Sequence, residues 1–385
     1  MLDTPMAVIT VLVGVAALFF YLEQRTGWTL FNYFPPLLFI YATPVILNNT
    51  GIIPSESPVY GGLGDYALPI FIALMLFNVN VPSAVRIMGK GILVMLLGTL
   101  GVVVGGVVSY AIVHAGMDPL AWKGYGALAG SWIGGTGNMA GVAGALETPP
   151  EMLGLAVLAD NLVYVVWLPI LLGSKAFADR FNRWARVPEE RLERMEAAAA
   201  DEAVEERVPR MQDYLYLLFW ALLVATAAKL LAPVLPEVGE VLTTSTWTVL
   251  LVTTFALALS ATSIRGLPGA HALAMAIIYV FVAGMGARAS LAGFDQAPLF
   301  VLGAFIWIFI HGGFCLFGAW LFRVDVHSAA IASAANIGGA ASAPVVAAYH
   351  RESLVPVAIL MALIGYALGN YLAILTAQLC QWIGT

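Results

Sequence analysis

The chain has 385 residues, 61% of them hydrophobic and 10% charged, with a mean hydropathy of +0.89. A soluble domain carries about 25% charged residues, so these values exclude an ordinary soluble protein and identify an integral membrane protein. The net charge of −6 is spread along the chain, the charged linker 175–212 holding nine acidic and eight basic residues; Cys315 and Cys380 are too few for a disulfide framework or a cysteine metal site, and no nucleic-acid-binding motif is present.

The first apolar run follows Asp3 with no preceding Lys or Arg and no convincing cleavage site, and reads as a first span rather than a removed leader. Apolar runs and breakers predict spans at about 6–22, 34–48, 66–82, 90–114 and 153–173, then at about 213–233, 245–261, 270–287, 297–321 and 355–380. Between the two sets lies the one long polar stretch, 175–212, which contains "RVPEERLERMEAAAADEAVEERVPR" and predicts partly helical, partly disordered chain. The organisation is therefore a first membrane repeat (1–174), a charged linker (175–212) and a second membrane repeat (213–385).

Two further segments, 124–146 and 328–349, break the pattern. Fifteen of the 22 residues 124–145 are Gly, Ala, Ser or Thr, as are fifteen of the 21 residues 328–348. Sliding the first by 204 residues sets Ile133, Gly134 and Gly135 on Ile337, Gly338 and Gly339. A slide of 202 sets Ala156, Leu158 and Tyr164 on Ala358, Leu360 and Tyr366. The order of elements repeats as well: four spans, a Gly-rich segment, one span. Such duplication is common in secondary transporters.

If each Gly-rich segment enters and leaves by one face, each half crosses five times and the halves are inverted. The basic residues then divide 14 to 3, against 11 to 6 if both segments cross fully. The sharper bias favours re-entrant segments, a cytoplasmic linker and both termini outside. The expected fold is all-α integral membrane, with two inverted repeats of about five transmembrane helices, each carrying a Gly-rich re-entrant or discontinuous helix.

Broken backbone at membrane depth is tolerated only where protein buries it or it lines a cavity. Freed carbonyls suit a bare cation, and exposed helix N-termini suit a carboxylate or another anion. In "SWIGGTGNMAG", Gly134, Gly135 and Gly137 supply backbone and Ser131, Thr136 and Asn138 neutral oxygens; Gly338, Gly339, Ser333, Asn336 and Ser342 do so in the second segment. The bland alternative is tight packing of small residues without a ligand. Asp160-Asn161 sits at span depth, where a carboxylate costs roughly 2.5–3.5 kcal/mol even on the lenient insertion scale. Asp160 is a candidate sodium ligand or proton carrier, with a buried structural Asp as the alternative. Asn370 and Tyr366 are candidate solute contacts, equally readable as packing. His311 reads first as a satisfied helix–helix bond and second as a proton relay. Gly101 and Gly105 read as packing, and Glu147 with Pro149-Pro150 as an exit turn. No zinc motif, nucleophile elbow or Ser/His/Asp set is visible, which argues against an enzyme.

At these residues the chain resembles a known group. "NIGGAASAPVVAAYHRESLVPVAILMALIGYALGNYLA" and "GSWIGGTGNMAGVAGALE" resemble the YjcL-like family of uncharacterised bacterial and plastid membrane proteins, over nearly the whole chain. More distantly, the paired Gly-Gly tips are similar to those of sodium:glutamate and sodium:citrate symporters, and Asp160-Asn161 to the acidic pair of inverted-repeat sodium/proton antiporters. The resemblance implies an elevator-type carrier, often dimeric, with a mobile core and a scaffold. Two departures stand out: the second tip reads Gly338-Gly339-Ala340-Ala341 rather than Gly-Gly-x-Gly, and only one acid stands at 160–161.

Taken together, the expectation is a cation-coupled secondary transporter in the plasma (inner) membrane, with sodium as coupling ion and a small organic anion or amino-acid-like solute. The rival is a sodium/proton or other cation antiporter without organic solute. Asp160, Asn161, Thr136 and Asn138 are the expected ion ligands. Ser131, Gly134, Gly135, Gly137, Ser333, Asn336, Gly338, Gly339, Ser342 and Asn370 are the expected solute contacts. The expected partners are the lipid bilayer, the solute and a second copy of the chain, with no nucleic acid and no cofactor beyond the ion.

Overall fold

The computed structural model describes all residues except 1, 29, 34–35, 189, 192–194, 196–206, 290–296 and 385. Much of the linker, 175–212, therefore lies outside the described residues. The described chain is all-α and multi-pass, with eight helices long and apolar enough to cross a bilayer and two shorter apolar ones.

The first half contains α1 (Pro5–Thr26), α2 (Pro36–Asn49), α3 (Pro58–Leu76, with a π-turn at Leu63–Ala67), α4 (Gly91–Val113), α5 (Ala121–Gly134), α6 (Thr136–Ala145) and α7 (Pro150–Gly173). The second contains α8 (Met211–Leu231), α9 (Thr244–Ser260), α10 (Ala270–Arg288), α11 (Ala297–Phe322), α12 (Val326–Ile337), α13 (Gly339–His350) and α14 (Val355–Gly384). Nine of the ten expected spans are helical near their predicted bounds; the third, expected at 66–82, is instead Pro58–Leu76, and Asn80 caps a separate short helix, Val81–Met88. Both Gly-rich segments are helices interrupted once, at Gly135 and at Gly338.

Local signals set the helix ends. Thr4 caps α1 by accepting from the Ala7 amide (3.3 Å), Pro5 occupies the first turn, and Gly27 closes it at φ 59°. Asp213 begins α8 as part of a capping box with Arg210. Apolar side chains such as Ile9 and Val13 of α1, or Phe219 and Leu222 of α8, face outward. In lipid such exposure carries no penalty, because hydrocarbon surrounds these faces as it would surround a core.

Two packing groups emerge. In one, α4 lies along α11 and α5 along α14, with α7, α12 and α13 against them. Small residues permit this approach. Gly101 and Gly105 of α4 leave no room for a Cβ, which would stand 2.6 Å from Phe314 and Trp307 of α11 respectively. The Trp307 indole donates to the Val102 carbonyl at 2.6 Å. The GxxxG is thus a packing seam, as expected. In the other group, α1, α2 and α10 pack together, and α3 joins α8, α9 and α10. Gly286 of α10 lies directly against the Tyr41 backbone of α2. The groups touch chiefly where α3, α9 and α10 meet α6, α7 and α14.

Candidate functional site

The two interruptions meet. Gly135 has φ 82° and Gly339 φ 56°, backbone that L side chains rarely adopt. A Cβ on either glycine would lie 3.5 Å from the Cα of the other. The Tyr366 ring borders both, 3.6 Å from the Cβ position of Gly135 and 3.3 Å from that of Gly339. Its hydroxyl accepts from the Ala340 amide in the first turn of α13 at 3.2 Å.

At the first break the Gly135 amide still donates to the Ser131 carbonyl (2.6 Å), and the new ladder starts with Asn138 and Met139 donating to the Gly135 carbonyl (3.0 and 3.2 Å). The carbonyls of Trp132, Ile133 and Gly134 end one ladder, and the amides that open α6 begin the next, as at any helix terminus. The positive ends of α6 and α13 therefore start at one place, beside the negative ends of α5 and α12.

Asp160 stands on α7, half-buried, and its carboxylate reaches the last turn of α5. Oδ2 accepts from Ser131 Oγ at 2.9 Å and Oδ1 from Trp132 Nε1 at 2.7 Å. Among the described residues no Lys, Arg or His pairs with it. A carboxylate at this depth held by two neutral donors keeps its negative charge uncompensated, which is the complement of a cation.

Asn138, fully buried in the first turn of α6, anchors a directional chain. Thr253 Oγ1 donates to the Val249 carbonyl (2.7 Å) and so accepts from Asn370 Nδ2 (2.8 Å). That leaves Asn370 Oδ1 to accept from Asn138 Nδ2 (3.0 Å), which also donates to the Tyr366 carbonyl (3.1 Å). Every member has its orientation set by a neighbour of defined polarity. The Asn138 Oδ1 left over is buried without a partner, close to Gly134 beside the break. A buried orphan acceptor costs about 1–3 kcal/mol, so this oxygen is a place for a bound cation or water.

The remaining candidates fall into three groups. Gly338 and Ser342 stand together at the second break, with Tyr164 of α7 packed against Gly338, and Thr136 lies half-buried at the start of α6. Gly134 faces Asn138 and the Gly365 carbonyl, whereas Gly137 is a packing contact against Met75 and Phe71. Three residues turn to other partners. Asn161 Nδ2 donates back to the Val157 carbonyl of its own helix (2.7 Å). Asn336 accepts from Thr99 Oγ1 and donates to the Met95 carbonyl (both 3.2 Å). Ser333 accepts from Trp167 Nε1 (3.0 Å) and bonds His311 Nε2 (2.9 Å). His311 Nδ1 faces the Gly98 carbonyl at 2.9 Å, which can only accept, so Nδ1 carries the proton and Nε2 accepts from Ser333. His311 is thus a satisfied helix–helix bond, its first reading from the sequence.

Sequence reasoning assigned no role to Trp132, Trp167, Tyr164 or Thr253. Tyr164 and Tyr366, the pair that the 202-residue slide superimposes, each pack against a break, so that alignment was the available signal. Among the described residues no group of three or more His, Cys, Asp or Glu could form a metal cage.

The family model described as a protein of unknown function (DUF819) matches residues 10–383. A curated relative, the "Uncharacterized membrane protein YjcL" of Bacillus subtilis (strain 168), is 28% identical over 369 residues, covering 91% of this chain and 90% of its own length.

Proposed function

We propose that this chain, which belongs to the DUF819 family of proteins of unknown function, is a cation-coupled secondary transporter whose ion and solute bind where the two interrupted helices meet. The observation that carries this reading is the contact between Gly135 and Gly339 near Asp160, a carboxylate with no basic partner among the described residues. Neutral oxygens plus one carboxylate suit a monovalent cation better than a divalent one, which takes several carboxylates. Sodium is the first choice, with Asp160 and Asn138 as its nearest ligands. The amide ends of α6 and α13 favour a small organic anion or amino-acid-like solute.

The matching order of elements, and the placement of Tyr164 and Tyr366 against the two breaks, support an inverted duplication with re-entrant segments. The division into two packing groups supports elevator-type movement of one group against the other. The basic-residue bias supports an inner-membrane orientation with the linker cytoplasmic and both termini outside, and a homodimer is the expected assembly. The test is thermal stability of the purified protein with sodium or potassium, combined with a panel of organic anions and amino acids. Sodium-selective stabilisation that deepens with one solute class supports symport; identical melting in both salts, with and without solute, removes the proposal.

A sodium/proton antiporter is the second reading. Asp160 favours it, because a single half-buried carboxylate held by hydroxyl and indole donors can exchange a proton for an ion. Sodium-driven proton movement in vesicles without any solute separates this from symport.

A further inference from the structure

The hydrogen-bond chain that ends at Asn138 begins in the other packing group. Thr253 stands midway along α9, fully buried, and α9 packs with α3 and α8 while reaching across to α6 and α14. Its hydroxyl has one proton, given to the Val249 carbonyl of its own helix (2.7 Å), so toward Asn370 Nδ2 it can only accept (2.8 Å). A second bond crosses at the adjacent residues. Thr254 Oγ1 gives its proton to the Leu250 carbonyl (2.7 Å) and so accepts from the Tyr371 hydroxyl (2.7 Å). The two crossings join the same two helices side by side and differ in where they lead. The Tyr371 bond ends at a phenol, whereas the Asn370 bond continues to Asn138 and the first break.

The seat of this chain is shaped for it. Gly369 of α14 leaves no room for a Cβ beside Asn138 Nδ2, and a Cβ on Gly141 of α6 would stand 3.0 Å from Asn370 Oδ1. A carboxamide has an accepting and a donating end, and turning both asparagines over gives a rival arrangement. In it Asn370 Nδ2 donates to Asn138 Oδ1, and Asn138 Nδ2 points toward the break. An N–H then stands where the native arrangement presents an unpartnered oxygen, and an N–H repels a cation. Carbonyls at both ends of the chain oppose the rival. The Tyr366 carbonyl offers Asn138 only an acceptor (3.1 Å), and the Val249 carbonyl engages the one proton that Thr253 would need to serve Asn370 Oδ1.

We infer that Thr253 is a positioning residue for the proposed cation site: through Asn370 it holds the Asn138 carboxamide with its oxygen toward the break. Without the hydroxyl, Asn370 Nδ2 is buried with no acceptor, and the rival arrangement becomes the one that satisfies it. A buried donor left without a partner is costly enough to shift such a balance. Because α9 lies in the other packing group, the polarity of the site is set from across the boundary between the groups. The inference rests on the transport reading above, which supplies the cation.

The test uses the full-length protein in neutral detergent. Sodium is titrated against melting temperature, with potassium at matched ionic strength as reference, for wild type, Thr253→Val, Thr253→Ser and Thr254→Val. Valine keeps the shape of Thr253 and removes the acceptor, serine keeps the hydroxyl, and Thr254→Val removes the neighbouring crossing that does not lead to Asn138. Folding is checked by size-exclusion chromatography, and Thr253→Ala carries the measurement if the valine variant does not fold. Thr253→Val is expected to bind sodium about tenfold more weakly, the worth of one neutral hydrogen bond. Thr253→Ser keeps the wild-type affinity, and Thr254→Val melts lower without sodium yet binds it as wild type does. Wild-type sodium affinity in Thr253→Val, or an equal loss in Thr254→Val, overturns the inference and leaves the transport reading standing. A wild type that melts identically in sodium and potassium removes the sodium site, and this inference with it.

Discussion

Replacing Asp160 by Asn separates the charge of the carboxylate from its shape. The bonding pattern survives the exchange: asparagine Oδ1 accepts from Trp132 Nε1, which can only donate, and Nδ2 donates to Ser131 Oγ, which accepts as readily as it donates. What falls is the strength of two bonds to an ionised group. Bonds to charged partners contribute about 1.5–3 kcal/mol and neutral ones about 0.5–1.5, so the variant loses about 2 kcal/mol in total. Relief from holding an unpaired charge at membrane depth, itself worth roughly 2.5–3.5 kcal/mol, offsets that loss. Folding stability without sodium therefore changes little. The cation feels the full loss: a unit charge within about 4 Å at an effective dielectric of about 20 contributes about 4 kcal/mol, roughly a thousandfold in affinity. The assay is sodium titration of the melting temperature for wild type, Asp160→Asn and Ser131→Ala across pH. Wild-type sodium affinity in Asp160→Asn would refute the reasoning, and so would a large drop in stability without sodium. A wild type that responds to pH but not to sodium, with that response lost in the variant, moves the assignment to proton exchange.

Gly135→Ala and Gly339→Ala each place a Cβ on positive-φ backbone at a cost of about 1–2 kcal/mol, and at Gly339 also against Tyr366; both are expected to insert and fold yet lose transport, whereas Gly14→Ala, with nothing within 4 Å of its Cβ, keeps it. Equal transport in all three variants in vesicles would make the breaks ordinary packing. Because Cys315 and Cys380 are buried, single cysteines introduced in the linker and near residue 384 report topology cleanly; labelling from opposite sides is expected, and labelling from one side removes the inverted arrangement. His350 donates from Nε2 to the Leu171 carbonyl (3.0 Å), so its Nδ1 accepts from His327 Nδ1 at 2.9 Å and a proton added there breaks the bond. Burial holds both imidazoles below the usual histidine value, with Asp325 opposing and Lys175 reinforcing the shift at both; Arg351 also lowers and Asp179 raises His327. A depressed histidine stabilises the fold above its unfolded pKa and loses that contribution as pH falls, so melting temperature should drop from neutral to mildly acidic pH, and less steeply in His350→Asn. Parallel curves for the two proteins would show that the pair does not titrate.

Span positions were legible because length and hydropathy alone decide them: 90–114 became Gly91–Val113 and 297–321 became Ala297–Phe322. Both Gly-rich breaks were legible from paired glycines set among many other small and polar residues; a glycine pair alone does not decide it, since Gly105-Gly106 and Gly312-Gly313 stay helical inside α4 and α11. Partner choice was not. Asn161 and Asn138 are equally polar in equally apolar helices, yet one bonds its own backbone and the other crosses to α14. That difference lies in the rotation of each helix about its axis, and α5, α6 and α12 are buried nearly all round, so no amphipathic stripe records it. Trp132 and Trp167 escaped notice on the same account. An indole in an apolar helix reads as filling, and only the fold shows that one N–H meets Asp160 and the other Ser333.

The indole of Trp132 also offers an optical readout of the carboxylate proposed to hold the ion. Its ring packs edge-on against Trp307 at 4.9 Å while its N–H points at the Asp160 carboxylate. Light absorption moves electron density across an indole, so the colour of its emission follows the electric field at the ring. A cation settling beside Asp160, or a proton neutralising it, cancels much of that field. Occupancy of the site should therefore be written in the ultraviolet fluorescence of the unlabelled protein. With ten tryptophans in the chain, the difference spectrum against Trp132→Phe isolates the one that is watching.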